Sequence, residues 1–418
     1  MSSREAARVL GVKLETLYAY KSRGLLQSVA LEGTRARRFL RADVERLKQR
    51  HDARAGHTAV AANALRWGEP VLDTSITRID AAGPHYRGHA AVELAKAGVP
   101  FELVVELLWT GMLPASPPSF DAPHARFPVA RTRALLGEKV PALGGISVVA
   151  AVLATRAANH VWAPREAEIV RAQQLVRRLF VAISLSTDTD RWATALRAPT
   201  VAHAAAAAWG LRTNSRALAA LNAALVLCAD HELNPSSFAA RLAASTGAEL
   251  HACVTAALAV ISGPLHGGQT SLVEAFLAEV PSPAHARDVV RRMAASGASI
   301  PGSGHTLYPD GDPRGAALIE MAVALRDSSK VRRLEALGRA MFEEGYGHPT
   351  LDFGLVAVAA ALGLPSGAAT AIFALGRTAG WIAHIFEQRD AGYVLRPRAR
   401  YVGPSGDQAS SPTDRDRP

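Results

Sequence analysis

The chain has 418 residues, 49% of them hydrophobic and 20% charged, which excludes a disordered chain and allows a sizeable core. Its formal net charge of +10 is concentrated at the front, where residues 1–66 hold fourteen Lys or Arg against six Asp or Glu. A basic head on a near-neutral body points to a nucleic-acid-binding appendage, not to a uniformly basic protein. Aromatics are only 6%, and alanine-rich stretches such as residues 202–208 favour closely packed helices over strands. Cys228 and Cys253 lie in apolar stretches without CxxC spacing, which rules out a disulfide scaffold and a cysteine zinc site. The opening Met-Ser-Ser-Arg-Glu has no apolar signal-peptide core, so a cytoplasmic location is expected.

Residues 1–50 read as a small unit. Ser3 precedes a helix through Leu10, Gly11-Val12 makes a turn, Leu14 to Tyr20 is a second helix, and Arg41 to Leu47 a third. Two short helices about a tight turn follow the helix-turn-helix plan, in which the second helix enters the major groove. Residues 51–66 read as a linker, residues 67–403 as the large domain, and the Ser-, Asp- and Pro-rich residues 404–418 as a disordered tail. In the large domain, helices are expected over residues 101–108, 146–158, 218–229, 248–261 and 272–280. Gly354 to Gly376 carries no charge and is long enough to mimic a membrane span. Leu364-Pro-Ser-Gly367 interrupts it, so two buried helices meeting at a turn are expected.

Three histidines stand out. His231 follows an apolar helix, His266 lies in Gly263-Pro-Leu-His-Gly-Gly268, and His305 in the loop Pro301-Gly-Ser-Gly-His305. Flanking glycines let a ligand reach the backbone and the imidazole closely. Asp312-Pro313 is a helix start that places Arg314 at a helix N-terminus, a setting that favours anions. Asp352 precedes an apolar helix and by default caps it. Arg377 sits inside the apolar run 368–386, where a charge needs a buried partner or an anionic ligand. Arg396 lies in a basic segment near the C-terminus. HExxH, a phosphate loop and a nucleophile elbow are all missing from the sequence, so no catalytic metal and no cofactor are expected. Imidazoles, one aspartate and several arginines suit carbon–carbon bond formation between a weak carbon acid and a polycarboxylate.

Two resemblances follow from these residues. Ser3-Arg-Glu-Ala-Ala7, Leu14-Glu-Thr-Leu-Tyr18, Gly24-Leu-Leu26 and Arg38-Phe39 resemble the MerR and excisionase type of winged helix-turn-helix. The resemblance implies DNA contacts from Lys13, Thr16 and Tyr18 on the second helix and from Arg35, Arg37 and Arg38 on a basic hairpin. His231-Glu-Leu-Asn-Pro-Ser-Ser, Gly263-Pro-Leu-His-Gly-Gly268, Gly304-His305 with Asp312-Pro-Arg314, Leu351-Asp-Phe353, and Arg377-Thr-Ala-Gly-Trp-Ile-Ala-His384 resemble the citrate synthase family, together with Tyr86-Arg-Gly88. This second likeness covers residues 68–403. It implies an all-α, two-lobed subunit of an obligate homodimer, acting on oxaloacetate and acetyl-CoA without a metal or a membrane. By the same resemblance Asp352 is the base, His266 hydrogen-bonds the thioester oxygen, and His305 polarises the oxaloacetate ketone. His231, Arg314 and Arg377 hold carboxylates, and Arg396 is supplied by the partner subunit. His266 is expected to be neutral, because it stands before a helix N-terminus.

Some positions depart from the family pattern. Ser303 replaces an aromatic, Thr306 and Pro309-Asp-Gly-Asp312 replace a more basic segment, and His348-Pro-Thr-Leu351 is an unusual approach to Asp352. Two readings stand beside the synthase: propionyl-CoA as the acyl donor, giving 2-methylcitrate, and a DNA-binding regulator whose synthase-like body senses a metabolite.

Overall fold

The computed structural model describes residues 1–23, 25–26, 28–30, 37–39, 43–44, 47–48, 72–121, 127–137, 140–157, 163–187, 190–212, 214–397, 399 and 401–403. The linker at 51–66, the tail at 404–418 and Arg35 lie outside them.

In the head, α1 (Ser3–Leu10) and α2 (Leu14–Ser22) are joined at Gly11, whose φ of 64° closes α1 in the left-handed region. The cap of α1 is Ser2, and Ser3, expected to precede the helix, is its first residue. The Ser2 hydroxyl receives the Glu5 amide and the Glu5 carboxylate receives the Ser2 amide, a reciprocal box that satisfies two otherwise free N–H groups. β1 (Ser28–Ala30) and β2 (Arg37–Phe39) pair antiparallel, Ser28 opposite Phe39, so the expected hairpin forms and carries Arg37 and Arg38. Ala6, Ala7, Leu10, Leu17, Leu26, Phe39 and Val44 bury a core of their own. Residues 43–44 and 47–48 are helical; all but Lys48 fall in the segment 41–47 expected to form the third helix.

The body begins with an antiparallel sheet that the sequence reading did not foresee: β3 (Thr77–Asp80), β4 (Gly83–Tyr86) and β5 (His89–Ala90). Among the described residues, the elements after it are helices: α3 (Ala91–Lys96), α4 (Phe101–Thr110), α5 (Val129–Leu136), α6 (Ala142–Arg156), α7 (Arg165–Ala182), α8 (Asp190–Leu196), α9 (Val201–Trp209) and α10 (Ser215–Cys228). There follow α11 (Pro235–Ser245), α12 (Leu250–Ile261), α13 (Gln269–Ala278), α14 (Ala286–Ala295), α15 (Pro313–Leu325), α16 (Ser329–Glu343), α17 (Leu351–Leu362) and α18 (Ala368–Ala391). One continuous hydrophobic core runs from Ile76 to Phe386. The uncharged run at 354–376 forms parts of α17 and α18, broken at Gly363 and Gly367 as expected. Among the described residues, no helix is long and apolar enough to cross a membrane.

Alanine and glycine let the central helices approach closely, and this places the site. α18 is buried on every side from Ala368 to Phe386, the pattern of a helix inside a core rather than at its edge. α15 and α17 cross backbone to backbone: a Cβ added at Gly354 would lie 2.8 Å from Leu318 Cβ and 2.9 Å from Gly315 O. That crossing brings the helix start bearing Arg314 beside the one bearing Asp352. Gly354→Ala is expected to destabilise the protein by about 1–2 kcal/mol, because overpacking outweighs the gain in helix propensity. Urea denaturation measures it, and a stability equal to wild type would refute so close a crossing.

Candidate active site

His231 follows the end of α10, just before the Asn234 cap and Pro235 at the first turn of α11. It is 9% exposed, and its Nε2 lies 2.8 Å from the Tyr308 hydroxyl. Its ring meets that of His305 edge-on, with centroids 5.5 Å apart. Burial holds the His231 imidazole well below its ordinary range, and Arg314, Arg377, His305 and His266 push it the same way. Groups from four other segments therefore act on His231.

His305 sits in the turn after Gly304, whose amide donates to His348 O at 2.9 Å. The Leu307 amide donates to His305 Nδ1 at 3.1 Å, which leaves that nitrogen an acceptor and puts the neutral ring's proton on Nε2. Burial and then Arg314 push His305 down to about 4, while Asp312 opposes them. His266 lies in the turn before α13, with Nε2 2.8 Å from Ser236 Oγ and its ring edge-on to Phe373 at 5.8 Å. Burial followed by Arg377 lowers it to about 4. Neutral imidazoles at both positions follow from desolvation and nearby guanidinium groups. Desolvation and Arg377 thus carry what the sequence reading ascribed to the helix N-terminus.

Arg314 and Asp312 are both buried, and the guanidinium donates to both carboxylate oxygens: Nε to Oδ1 at 3.0 Å and Nη2 to Oδ2 at 2.9 Å. The Leu351 amide also donates to Asp312 Oδ2, at 3.0 Å. One carboxylate thereby caps α15 and ties it to the start of α17. Asp352 is the second residue of α17, and the cap position is taken by Thr350. The default reading of Asp352 as a cap is thus corrected, which leaves its carboxyl free for other work. Burial raises it to about 6, although Arg314 and Arg377 pull it down.

Arg377 is 2% exposed, and its Nε and Nη1 have no hydrogen-bond partner. Its guanidinium lies over the Phe373 ring, 5.0 Å from the centroid. A buried cation with two unsatisfied donors is expensive unless an anion completes it. The constellation can bind a carboxylate, polarise carbonyl oxygens with neutral imidazoles, and accept a proton at Asp352.

Residues 64–398 match the family model described as "Citrate synthase, C-terminal domain". The chain belongs to the citrate synthase family. Residues 1–54 match the model "MerR HTH family regulatory protein". Citrate synthase 2 of Bacillus subtilis is 38% identical over 189 residues, covering 44% of this chain and 51% of that protein. A 2-methylcitrate synthase of Shewanella oneidensis is 36% identical over 189 residues, 44% of this chain and 50% of its own length. The chain thus spans about half the length of these relatives. A solved citrate synthase of Thermoplasma acidophilum, in ternary complex with carboxymethyl coenzyme A and oxaloacetate, superposes with a TM-score of 0.69 at 25% identity. It covers 83% of this chain and 97% of that one.

In this citrate synthase fold, His231, His266, His305, Arg314, Asp352 and Arg377 come together. Arg396 does not join them within one subunit, being exposed beyond α18. Arg314 was expected to offer its guanidinium to substrate, but two of its donors are already held by Asp312. Sequence reasoning missed Tyr308, which touches His231, and Ser236, which touches His266. It also missed Trp381, whose indole N–H donates to Ser236 Oγ at 3.0 Å. The Asn234-Pro235 helix start was the available signal for Ser236; nothing local marked the other two.

Proposed function

We propose that this chain condenses acetyl-CoA with oxaloacetate and hydrolyses the citryl thioester to citrate and CoA. The observation that carries the reading is Arg377, a buried guanidinium with two unpartnered donors among three neutral histidines and a carboxyl raised to about 6. Asp352 takes a proton from the acetyl methyl group, and neutral His266 donates a hydrogen bond to the thioester oxygen as the enol forms. Ser236 Oγ, 2.8 Å from His266 Nε2, donates to Asn234 Oδ1 at 2.7 Å and accepts the Trp381 indole N–H at 3.0 Å, which anchors it beside the imidazole.

The enol carbon then attacks the oxaloacetate ketone, which His305 polarises through its Nε2–H and which ends as a hydroxyl. His231 and Arg377 hold the carboxylates. Arg314 does so through the N–H groups that Asp312 leaves, and Arg396 from the partner of a homodimer. Water cleaves the thioester, releasing citrate and CoA. No metal or other cofactor enters this sequence. The relative named 2-methylcitrate synthase keeps propionyl-CoA as the competing donor, since one methylene changes binding by only about 1–3 kcal/mol. Thiol release from either acyl-CoA, with and without oxaloacetate, tests the reading. Release that does not depend on oxaloacetate sinks it.

A second reading stands alongside, favoured by the match of residues 1–54. Lys13 and Tyr18 are exposed on or beside α2, Thr16 is half-buried, and Arg37 and Arg38 lie on the paired strand β2. A dimer would pair two such heads, as a palindromic site requires. Gel shifts with genomic fragments are expected to show a specific complex that weakens steeply with salt. A shift unchanged by deletion of residues 1–50 would remove the head from DNA binding.

A further inference from the structure

Behind the substrate-facing groups lies a second layer of buried charge that the mechanism above does not use. Asp230 and His384 are both fully buried, with His384 Nε2 3.4 Å from Asp230 Oδ1. The contact lacks hydrogen-bond alignment, and Asp230 Oδ1 and both ring nitrogens of His384 are buried without a hydrogen bond. On its far side His384 Nδ1 lies 3.9 Å from Glu387 Oε2, which accepts from Arg241 Nη1 at 2.9 Å. The remaining oxygen of Asp230 accepts the Glu232 amide at 3.1 Å. Glu232 has a φ of 54°, a left-handed conformation that a residue with a side chain keeps only where its surroundings enforce it. This bond therefore fixes the turn on which His231 stands.

The same carboxylate meets α18. Arg377 and His384 are two turns apart on one face of that helix, with Gly380 between them. The Gly380 amide donates to Ala229 O at 2.9 Å, which ties α18 to the residue just before Asp230. A Cβ at Gly380 would overlap Asp230 Oδ1 and lie 2.6 Å from Ala229 O. Only the absence of a side chain lets the helix backbone seat on the Asp230 turn. His231 and Arg377 belong to different elements, so the spacing between them, which a dicarboxylate must match, depends on this seating.

We propose that Asp230 is a positioning residue for the dicarboxylate: one oxygen clamps the His231 turn through Glu232, and the other holds, through His384, the face of α18 that carries Arg377. The inference rests on reading the site as an oxaloacetate site. Calorimetric titration of the full-length protein with oxaloacetate tests it on wild type, Asp230→Ala and Asp230→Asn, with melting curves as the control for folding. Asp230→Ala is expected to weaken oxaloacetate at least about tenfold and to raise its KM equally, with the acetyl-CoA KM moving less than about threefold. Asp230→Asn keeps an oxygen for the Glu232 amide and is expected to recover most of the affinity.

If Asp230→Ala does not fold, His384→Gln decides, with oxaloacetate expected to bind at least about threefold more weakly. A folded Asp230→Ala or His384→Gln that binds oxaloacetate as wild type does overturns the inference. So does equal weakening of both substrates, which marks a general loosening. A wild type that binds no oxaloacetate overturns the functional reading first, and this inference with it.

Discussion

Asp352→Asn is expected to lower oxaloacetate-dependent thiol release by about 10²–10⁴-fold while leaving the fold intact. The carboxyl stands in the first turn of α17, where the helix dipole and nearby Arg314 favour its charged form, yet burial dominates and raises it to about 6. A base poised near neutrality accepts a proton from a weak carbon acid more readily than an ordinary carboxylate does. Activity should therefore fall as pH drops through about 6, and thiol release followed from pH 5 to 8 measures this.

The same shift makes a stability prediction of opposite sense. Between its unfolded value of 3.8 and its folded value of about 6, the unfolded chain has lost a proton that the folded chain still holds. Ionised Asp352 therefore destabilises the fold at higher pH, by up to about 3 kcal/mol. Asp352→Asn should melt at a higher temperature than wild type at pH 8, with the advantage gone below about pH 4. An active Asp352→Asn would remove the residue from the chemistry. An unchanged melting temperature at pH 8 would show that its carboxyl is not strained.

Arg377→Met is expected to raise the KM for oxaloacetate by about 10²-fold and to leave that for acetyl-CoA within about threefold. Hydrogen bonds from a charged donor are worth about 1.5–3 kcal/mol each, and two donors of Arg377 stand without a partner in the core. Ligand that binds only the folded state raises the melting temperature, so wild type should be protected by oxaloacetate and Arg377→Met should not. Thermal shift with and without oxaloacetate separates this from a general loss of activity. Protection that survives the substitution would mean that the carboxylates are held elsewhere.

The parts of the site that were legible in the sequence carried a local signal. His266 and His305 stand among glycines, Asp312-Pro313 announces a helix start, and Arg377 is a charge inside an apolar helix. The partnerships that tune those groups carried none. Ser236 meets His266 across thirty positions. Asp312 receives the amide of Leu351 from another helix, and Asp230 faces His384 across a helix crossing. The sheet at residues 77–90 escaped notice because its strands span only two to four residues, too few for alternation to show.

By itself, the sequence determined that the body is helical, that the basic charge sits in a separate head, and which histidines, aspartates and arginines are available for chemistry. All of these follow from composition, capping residues and periodicity, which act over a few positions along the chain. Only the tertiary structure decided that Arg314 is already paired, that Asp352 is freed from capping and desolvated, and that two donor nitrogens of Arg377 are left without a hydrogen-bond partner. Burial and pairing are set by which elements cross. Here the crossings are made where glycines on α15, α17 and α18 let backbones meet, and those contacts join residues far apart in the chain.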